Sequence, residues 1–233
     1  MKVITVNGQN HKGSTYHIGR MLAERLADAP QEIEEVFLPR DMPEFCCGCT
    51  KCFMENETKC PHYKYLQPIT EKLDAADVMI FTSPVYVYHV TGSMKAFLDH
   101  FGYRWIVHRP EGAMFSKQAV CISTAAGGGM RSTCKDLKHS MFFWGVGNVY
   151  SYGEAVHAIA WEEVTEKMRG KIEKNVDRLA AKITARGDRV HPSVKTKAFF
   201  YIMRQVHKRG LNEADSVYWK EKGWTGSVRP WKG

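Results

Sequence analysis

Four cysteines lie within fifteen residues of one another, at spacings that can bind metal. Two residues separate Cys46 from Cys49 and Cys49 from Cys52, and seven residues separate Cys52 from Cys60. Thiolates two residues apart can converge on one metal centre, and four thiolates satisfy a 4Fe–4S cluster. Tetrahedral zinc could use the same thiols with His62 nearby. A segment that holds no metal is the third interpretation, and the spacing leaves all three open.

A polar segment with two glycines follows the first apolar run of the chain. Free N–H groups and the positive end of the helix dipole make a helix start after such a segment an anion site. A nucleoside triphosphate loop needs Lys between its second glycine and its Ser or Thr, but Ser14 follows Gly13 directly. The segment therefore favours a terminal phosphate monoester, and its candidate ligands are Asn10, Lys12, Ser14 and Thr15.

Two more segments follow apolar runs and could line a flat aromatic ring. A rigid proline and an aromatic side chain can form one wall, and small residues allow backbone amides to approach the polar edge of a ring. No side chain nucleophile or general base is required by such a site, so no catalytic residue is predicted. The candidate residues are Pro84, Val85, Tyr86 and Val87 after one run, and Thr124, Ala125, Ala126 and Gly127 after the other.

These segments are positioned by alternating apolar runs and amphipathic stretches. Such alternation predicts a parallel sheet covered by helices on both faces, with ligands at the carboxyl ends of the strands. The expected architecture is an α/β doubly wound five-stranded parallel sheet. The predicted strands cover residues 2–7, 33–38, 78–83, 119–123 and 148–152, and the predicted helices cover 15–26, 66–75, 93–101, 132–143 and 162–184.

Taken together, these segments resemble the flavodoxin-like NAD(P)H-dependent FMN reductase family. Residues 10–15 (NHKGST) are similar to the phosphate loop of that family, and residues 124–128 take the place of its second loop facing the isoalloxazine. Residues 83–86 (SPVY) with 92–99 (GSMKAFLD) resemble its Ser-Pro-x-Tyr … Lys-x-Phe-x-Asp signature. The resemblance covers about residues 1–185, and it departs at residues 8–10, where many members have Ser-Pro-Arg.

This resemblance implies a flavodoxin-like fold and a cofactor. FMN would bind to the three loops, NAD(P)H would supply the hydride, and a quinone, free flavin, or other small molecule or protein would accept electrons. A homo-oligomer with flavin at its interface is also implied. The cysteine spacing resembles the iron–sulfur flavoprotein branch of this group, although many relatives carry a similar cysteine motif with no cluster. The alternatives are therefore an iron–sulfur flavoprotein or a flavodoxin-type electron carrier without NAD(P)H turnover of its own.

The net positive charge of the chain comes from its last quarter. The net charge is +8; residues 182–233 carry 12 Lys and Arg against 4 Asp and Glu, while residues 1–181 carry 21 of each. We expect an FMN-binding domain at residues 1–188 and a basic, aromatic-rich helical extension at 189–233. Its apolar-rich helix at 194–207 is predicted to dock on the domain together with Trp219, Trp224 and Trp231, rather than to lie on a membrane surface.

The sequence also limits which binding partners and which cellular compartment are expected. No run of apolar residues reaches the roughly eighteen needed for a transmembrane helix, and the chain enters a strand without the apolar region of a signal peptide. We therefore expect a cytoplasmic protein without a transmembrane segment, with its seven cysteines reduced. No nucleic acid partner is expected, because a basic extension is more often solvated or packed on protein.

Overall fold

Five parallel strands form one sheet in the order β2-β1-β3-β4-β5. The computed structural model describes residues 1–187 and 189–232. The strands are β1 (Val3–Asn7), β2 (Ile33–Phe37), β3 (Val78–Thr82), β4 (Gln118–Ala125) and β5 (Asn148–Ala155). Strand order changes direction at β1, which pairs with both β2 and β3. The predicted doubly wound, five-stranded flavodoxin-like architecture is confirmed.

Helices cover both faces of the sheet. They are α1 (Ser14–Leu26), α2 (Lys51–Met54), α3 (Tyr63–Ala75), α4 (Gly92–Asp99), α5 (Met130–Phe143), α6 (Glu166–Thr184), α7 (Val194–Lys208) and α8 (Glu213–Glu221). Apolar residues of α1 and α6 pack on one face, and those of α3, α4 and α5 pack on the other. The pleat of β1 divides its side chains accordingly: Val3 joins the first core, and Ile4 and Val6 join the second. No helix among residues 1–187 and 189–232 is long and apolar enough to cross a membrane.

Several boundaries differ from those predicted, for local reasons. β4 and β5 both continue to an alanine, Ala125 and Ala155, because their ladder extends beyond the apolar runs. Helix α6 begins at Glu166 rather than at residue 162, since the Thr165 hydroxyl accepts a hydrogen bond from the Met168 N–H and caps it there. A one-turn helix, α2, lies within the cysteine segment at 46–60, for which no helix was predicted, and α8 was not predicted either.

The extension packs on the domain through a third apolar cluster. Phe200, Trp219 and Trp231 are buried there against Ile106 and Phe115 of the preceding chain. Phe115 lies just before β4, so this cluster sits toward the amino end of that strand. The structure thus confirms docking of the extension. The predicted boundary between domain and extension, at residue 188, lies outside the described residues and remains a prediction.

Candidate functional site

The carboxyl ends of the strands bring three of the predicted loops to one edge of the sheet. Register aligns Asn7 with Thr82, and Thr82 with Ile122, so the residues that follow each strand lie side by side. A cavity of about 210 Å³ opens among them. It is lined by Asn7, Gln9, His11, Gly13, Ser14, Thr15, Tyr16, Thr82, Pro84, Val85, Tyr86, Thr124, Ala125, Ala126, Val156, Ala158 and Ile159.

The amino end of α1 supplies the polar part of this cavity. Gly13 precedes the helix and provides no side chain to cap it, so the first amide groups of α1 are left for another acceptor. Ser14 is only 7% exposed, and its buried hydroxyl has no hydrogen-bond partner. Thr15 Oγ1 lies 2.6 Å from Thr124 Oγ1 and links this loop to the one after β4. Unused donors at a helix start suit a bound anion.

Gly8 permits the close packing of the loop after β1 against the loop after β3. Its N–H donates to the Thr82 carbonyl at 2.7 Å, and the hydroxyls of Thr91 and Ser93 both donate to its carbonyl at 2.8 Å. A Cβ at this position would lie 2.9 Å from Thr91 Oγ1 and 3.0 Å from the Thr82 oxygen. Only glycine fits without displacing a neighbour, so the phosphate loop is held rigidly to β3.

A tight hairpin forms the opposite wall. Tyr86 and His89 pair with each other, and the two residues between them, Val87 and Tyr88, have φ angles of 49° and 65°. A positive φ is strained for a β-branched residue. The hairpin is joined to α5, since His89 contacts the Asp136 carboxylate at 2.9 Å and the Thr133 hydroxyl donates to the His89 carbonyl at 3.1 Å. The strained turn thereby holds the Tyr86 ring at the cavity.

Eight of the twelve predicted cofactor residues line this cavity: Ser14, Thr15, Pro84, Val85, Tyr86, Thr124, Ala125 and Ala126. The other four predicted residues are not among those that line it. Asn10 accepts a hydrogen bond from the Arg40 N–H, and Lys12 lies over the Tyr16 ring. Val87 is 92% exposed at the tip of the hairpin, and Gly127 has open space around it.

Sequence reasoning missed a fourth wall, formed by the segment after β5. Val156, Ala158 and Ile159 line the cavity, and the Val156 N–H donates to the Ala125 carbonyl at 2.9 Å. The available signal was the strand itself: a fifth strand of a parallel sheet must also end at this edge. Because β5 was predicted to end too early, its following loop was left out.

The cysteine segment lies apart from this cavity-lining set. Cys46 and Cys49 are exposed, whereas Cys52 and Cys60 are partly buried. Burial, together with the smaller effect of the charges of the other three thiolates, raises the pKa of the Cys52 thiol to about 11. The four thiols are therefore close enough to influence one another. Within residues 1–187 and 189–232, however, no three Cys, His, Asp or Glu side chains are arranged as a preformed metal site.

Cys47 is exposed in the cysteine segment, whereas the two cysteines outside that segment lie in the core. Cys121 of β4 is fully buried, and Cys134 of α5 is 5% exposed. Burial raises the pKa of the Cys134 thiol to about 11 and raises that of Cys121 as well. Both thiols stay protonated at neutral pH and behave as small apolar side chains.

Comparison with known proteins agrees with this geometry. The family model described as NADPH-dependent FMN reductase matches residues 1–160. An iron–sulfur flavoprotein of Archaeoglobus fulgidus is 25% identical over 236 residues, covering 96% of this chain and 99% of that protein. An FMN-dependent NADH:quinone oxidoreductase of Pseudomonas putida is 29% identical over 128 residues, covering 50% of this chain and 59% of that protein.

Solved structures share the fold. The FMN complex of an FMN-dependent NADH-azoreductase from Bacillus anthracis has a TM-score of 0.54 at 13% identity, and it covers 77% of this chain and 100% of its own. At such low identity the likeness establishes the fold alone. The family model, in contrast, matches more than half of the sequence and includes every loop of the cavity. This chain belongs to the NADPH-dependent FMN reductase family.

Proposed function

We propose that the cavity at the carboxyl edge of the sheet binds FMN, and that the protein passes electrons from NAD(P)H to a quinone, a free flavin or another small-molecule or protein acceptor. The observation that carries this proposal is the buried Ser14 hydroxyl, which has no partner at the start of α1. An unpartnered buried hydroxyl costs stability, and a phosphate placed there would accept its hydrogen bond. Family membership supports the same cofactor.

The chain's own residues would bind and orient the cofactor. The Ser14 hydroxyl and the first amides of α1 would hold the phosphate, while the Tyr86 wall and the small residues Ala125 and Ala126 would border the ring. When bound, FMN itself supplies the hydride and electron chemistry. The protein then needs to bind, orient and shield the cofactor, which is consistent with a cavity whose lining residues include no Asp or Glu in the described part of the chain.

A cationic hollow beside the flavin loop is our candidate for the phosphates of the nicotinamide cofactor. The hollow measures about 570 Å³ and lies between α5 and the edge strand β5, where Ser151 and Gly153 leave room. Arg131, Lys135 and Lys138 line it, and they lie on one face of α5 at helical spacing. Because α5 begins directly after the loop that follows β4, a dinucleotide could reach from the flavin ring to these cations.

The test is oxidation of NADPH and of NADH by the FMN-reconstituted protein, with quinone and free flavin as acceptors. Turnover with at least one acceptor is the expected result. Tight FMN binding without turnover by any acceptor would instead indicate an electron carrier. Failure to bind FMN at all would overturn the assignment of the cavity.

We further propose that Cys46, Cys49, Cys52 and Cys60 hold a 4Fe–4S cluster. The donor set has the right type and number of ligands, and two relatives that match 61% or more of this chain are named iron–sulfur flavoproteins. Binding would require the exposed part of the segment to close on Cys52 and Cys60. Zinc bound by the same thiols and a metal-free segment are the competing outcomes.

Anaerobic purification with iron, acid-labile sulfide and zinc measured on one sample tests this second proposal. We expect about four irons per chain, lost in Cys49→Ser and retained in Cys47→Ser, because Cys47 is not in the proposed ligand set. Stoichiometric zinc or no metal in the wild type would overturn it.

We also propose a homo-oligomer in the cytoplasm. Val87 and Ile159 are 92% and 95% exposed beside the cavity, and a second copy would cover such apolar groups. Size-exclusion chromatography with light scattering tests this, and a monomer at micromolar concentration would contradict it.

A further inference from the structure

We infer that the buried Asp215 of the extension is a positioning residue for Cys52, acting through Arg109. This inference goes beyond FMN binding and concerns the proposed cysteine site. Its consequence for metal binding rests on the proposal that Cys52 is a cluster ligand. The contacts that carry it run from α8, through residues 108–110, to α2.

The first link is between α8 and residues 108–110. Asp215 is 1% exposed; its carboxylate contacts Arg109 Nη1 at 2.5 Å and His108 Nδ1 at 2.8 Å. Two further side chains of α8 bind the same segment: Trp219 Nε1 donates to the His108 carbonyl at 2.6 Å, and the Tyr218 hydroxyl donates to the Pro110 carbonyl at 2.7 Å. Three consecutive residues are thus held by one helix.

The second link is between Arg109 and α2. Arg109 donates to the carbonyl oxygens of Cys52 and Phe53, which α2 is too short to bond internally. A guanidinium at this end also complements the helix dipole. The Phe53 ring packs 4.6 Å from the His108 ring and against Gly102, where an added Cβ would lie 2.9 Å from it. Arg109 therefore acts as the C-terminal cap of the helix that carries Cys52.

Asp215 is needed because Arg109 is itself buried, at 8% exposure. A buried guanidinium without a carboxylate partner is unfavourable and moves toward water when it can. Such a movement would release both carbonyls of α2. The forked geometry also matters, because the two amino groups of the Arg109 guanidinium donate from separate, fixed positions, whereas Lys would donate from a single nitrogen. Asp215 consequently fixes the half-buried Cys52, while Cys46 and Cys49 remain exposed.

The experiment measures thiol alkylation on the full chain, reduced, saturated with FMN and stripped of metal by a chelator. A short iodoacetamide pulse followed by peptide mass spectrometry gives the rate at Cys52 relative to Cys60, which Arg109 does not contact. In Asp215→Asn we expect this ratio to rise about tenfold. The matched control is Asp74→Asn, which breaks the pair between Asp74 and the buried Arg104 without touching α2.

Both variants should lose thermal stability, but only Asp215→Asn should change the Cys52 ratio. An unchanged ratio, or an equal rise in Asp74→Asn, would overturn the inference. If Asp215→Asn does not fold, Arg109→Lys provides the same test with the charge retained. Iron measured before chelation separates the two proposals: a wild type without iron refutes the cluster, whereas the alkylation ratio still tests the role of Asp215.

Discussion

Replacing Ser14 with Ala should weaken FMN binding without destabilising the empty protein. The Ser14 hydroxyl is buried and has no partner, so its removal costs the free protein nothing and relieves an unsatisfied group. A hydrogen bond to a charged group contributes about 1.5–3 kcal/mol, which corresponds to a roughly 10- to 150-fold increase in Kd for FMN. Ser14→Ala should therefore leave the stability of the free protein unchanged or higher while it lowers the affinity for FMN.

The assay is quenching of flavin fluorescence on titration of apoprotein, repeated with riboflavin, which lacks the phosphate. We expect the loss of affinity for FMN and little change for riboflavin. Ser123→Ala is the matched control, because that hydroxyl is also buried without a partner but lies outside the cavity lining. An equal loss for both flavins, or a lower melting temperature in Ser14→Ala than in Ser123→Ala, would refute the assignment of Ser14 to the phosphate.

Three other predictions concern different parts of the molecule. Gly8→Ala should lower the free energy of unfolding by about 1–3 kcal/mol through contact with Thr91, measured by urea denaturation; an unchanged midpoint would contradict the close packing. Burial lowers the pKa of His207 below 6.5, so the unfolded chain takes up the proton first and the free energy of unfolding falls as pH drops below 6.5. In His207→Phe the slope of unfolding free energy against pH should shrink by up to about 1.4 kcal/mol per pH unit. An unchanged slope would show that His207 does not cause this pH dependence. Lys135→Glu should lower kcat/KM for NADPH about threefold to tenfold more than Lys174→Glu on α6 does, and the difference should become smaller at high salt. Equal effects of the two variants would show that the hollow between α5 and β5 does not bind the phosphates of the nicotinamide cofactor.

Much of the fold followed from local patterns. The runs at β1, β3 and β4 are apolar and β-branched because both faces of a parallel strand are buried. Alternation with amphipathic helices then leaves few topologies. Since the loops after these strands must meet at one edge of a parallel sheet, the sequence alone predicts that their residues lie together.

Elements that depend on distant partners could not be predicted in this way. Helix α8 buries only Asp215 and Trp219, so it carries no apolar stripe that would identify it. Its burial depends on residues 108–110, about a hundred positions earlier in the chain. The same applies to α2, whose capping residue Arg109 lies 57 positions after Cys52. Hydrophobic periodicity reflects local packing and carries no information about contacts between residues that lie far apart in the chain.

The link between α8 and Cys52 also has a consequence for biosynthesis. Cys52 and Asp215 are separated by 163 residues (215 − 52). At a translation rate of about 5–20 residues per second, roughly ten to thirty seconds pass between their synthesis. During that interval the nascent cysteine segment is without the carboxylate that holds its capping arginine, and the segment can take its final form only after α8 has left the ribosome. The cysteine segment therefore takes its final form later in synthesis than the loops of the cavity, all of which precede α8 in the chain.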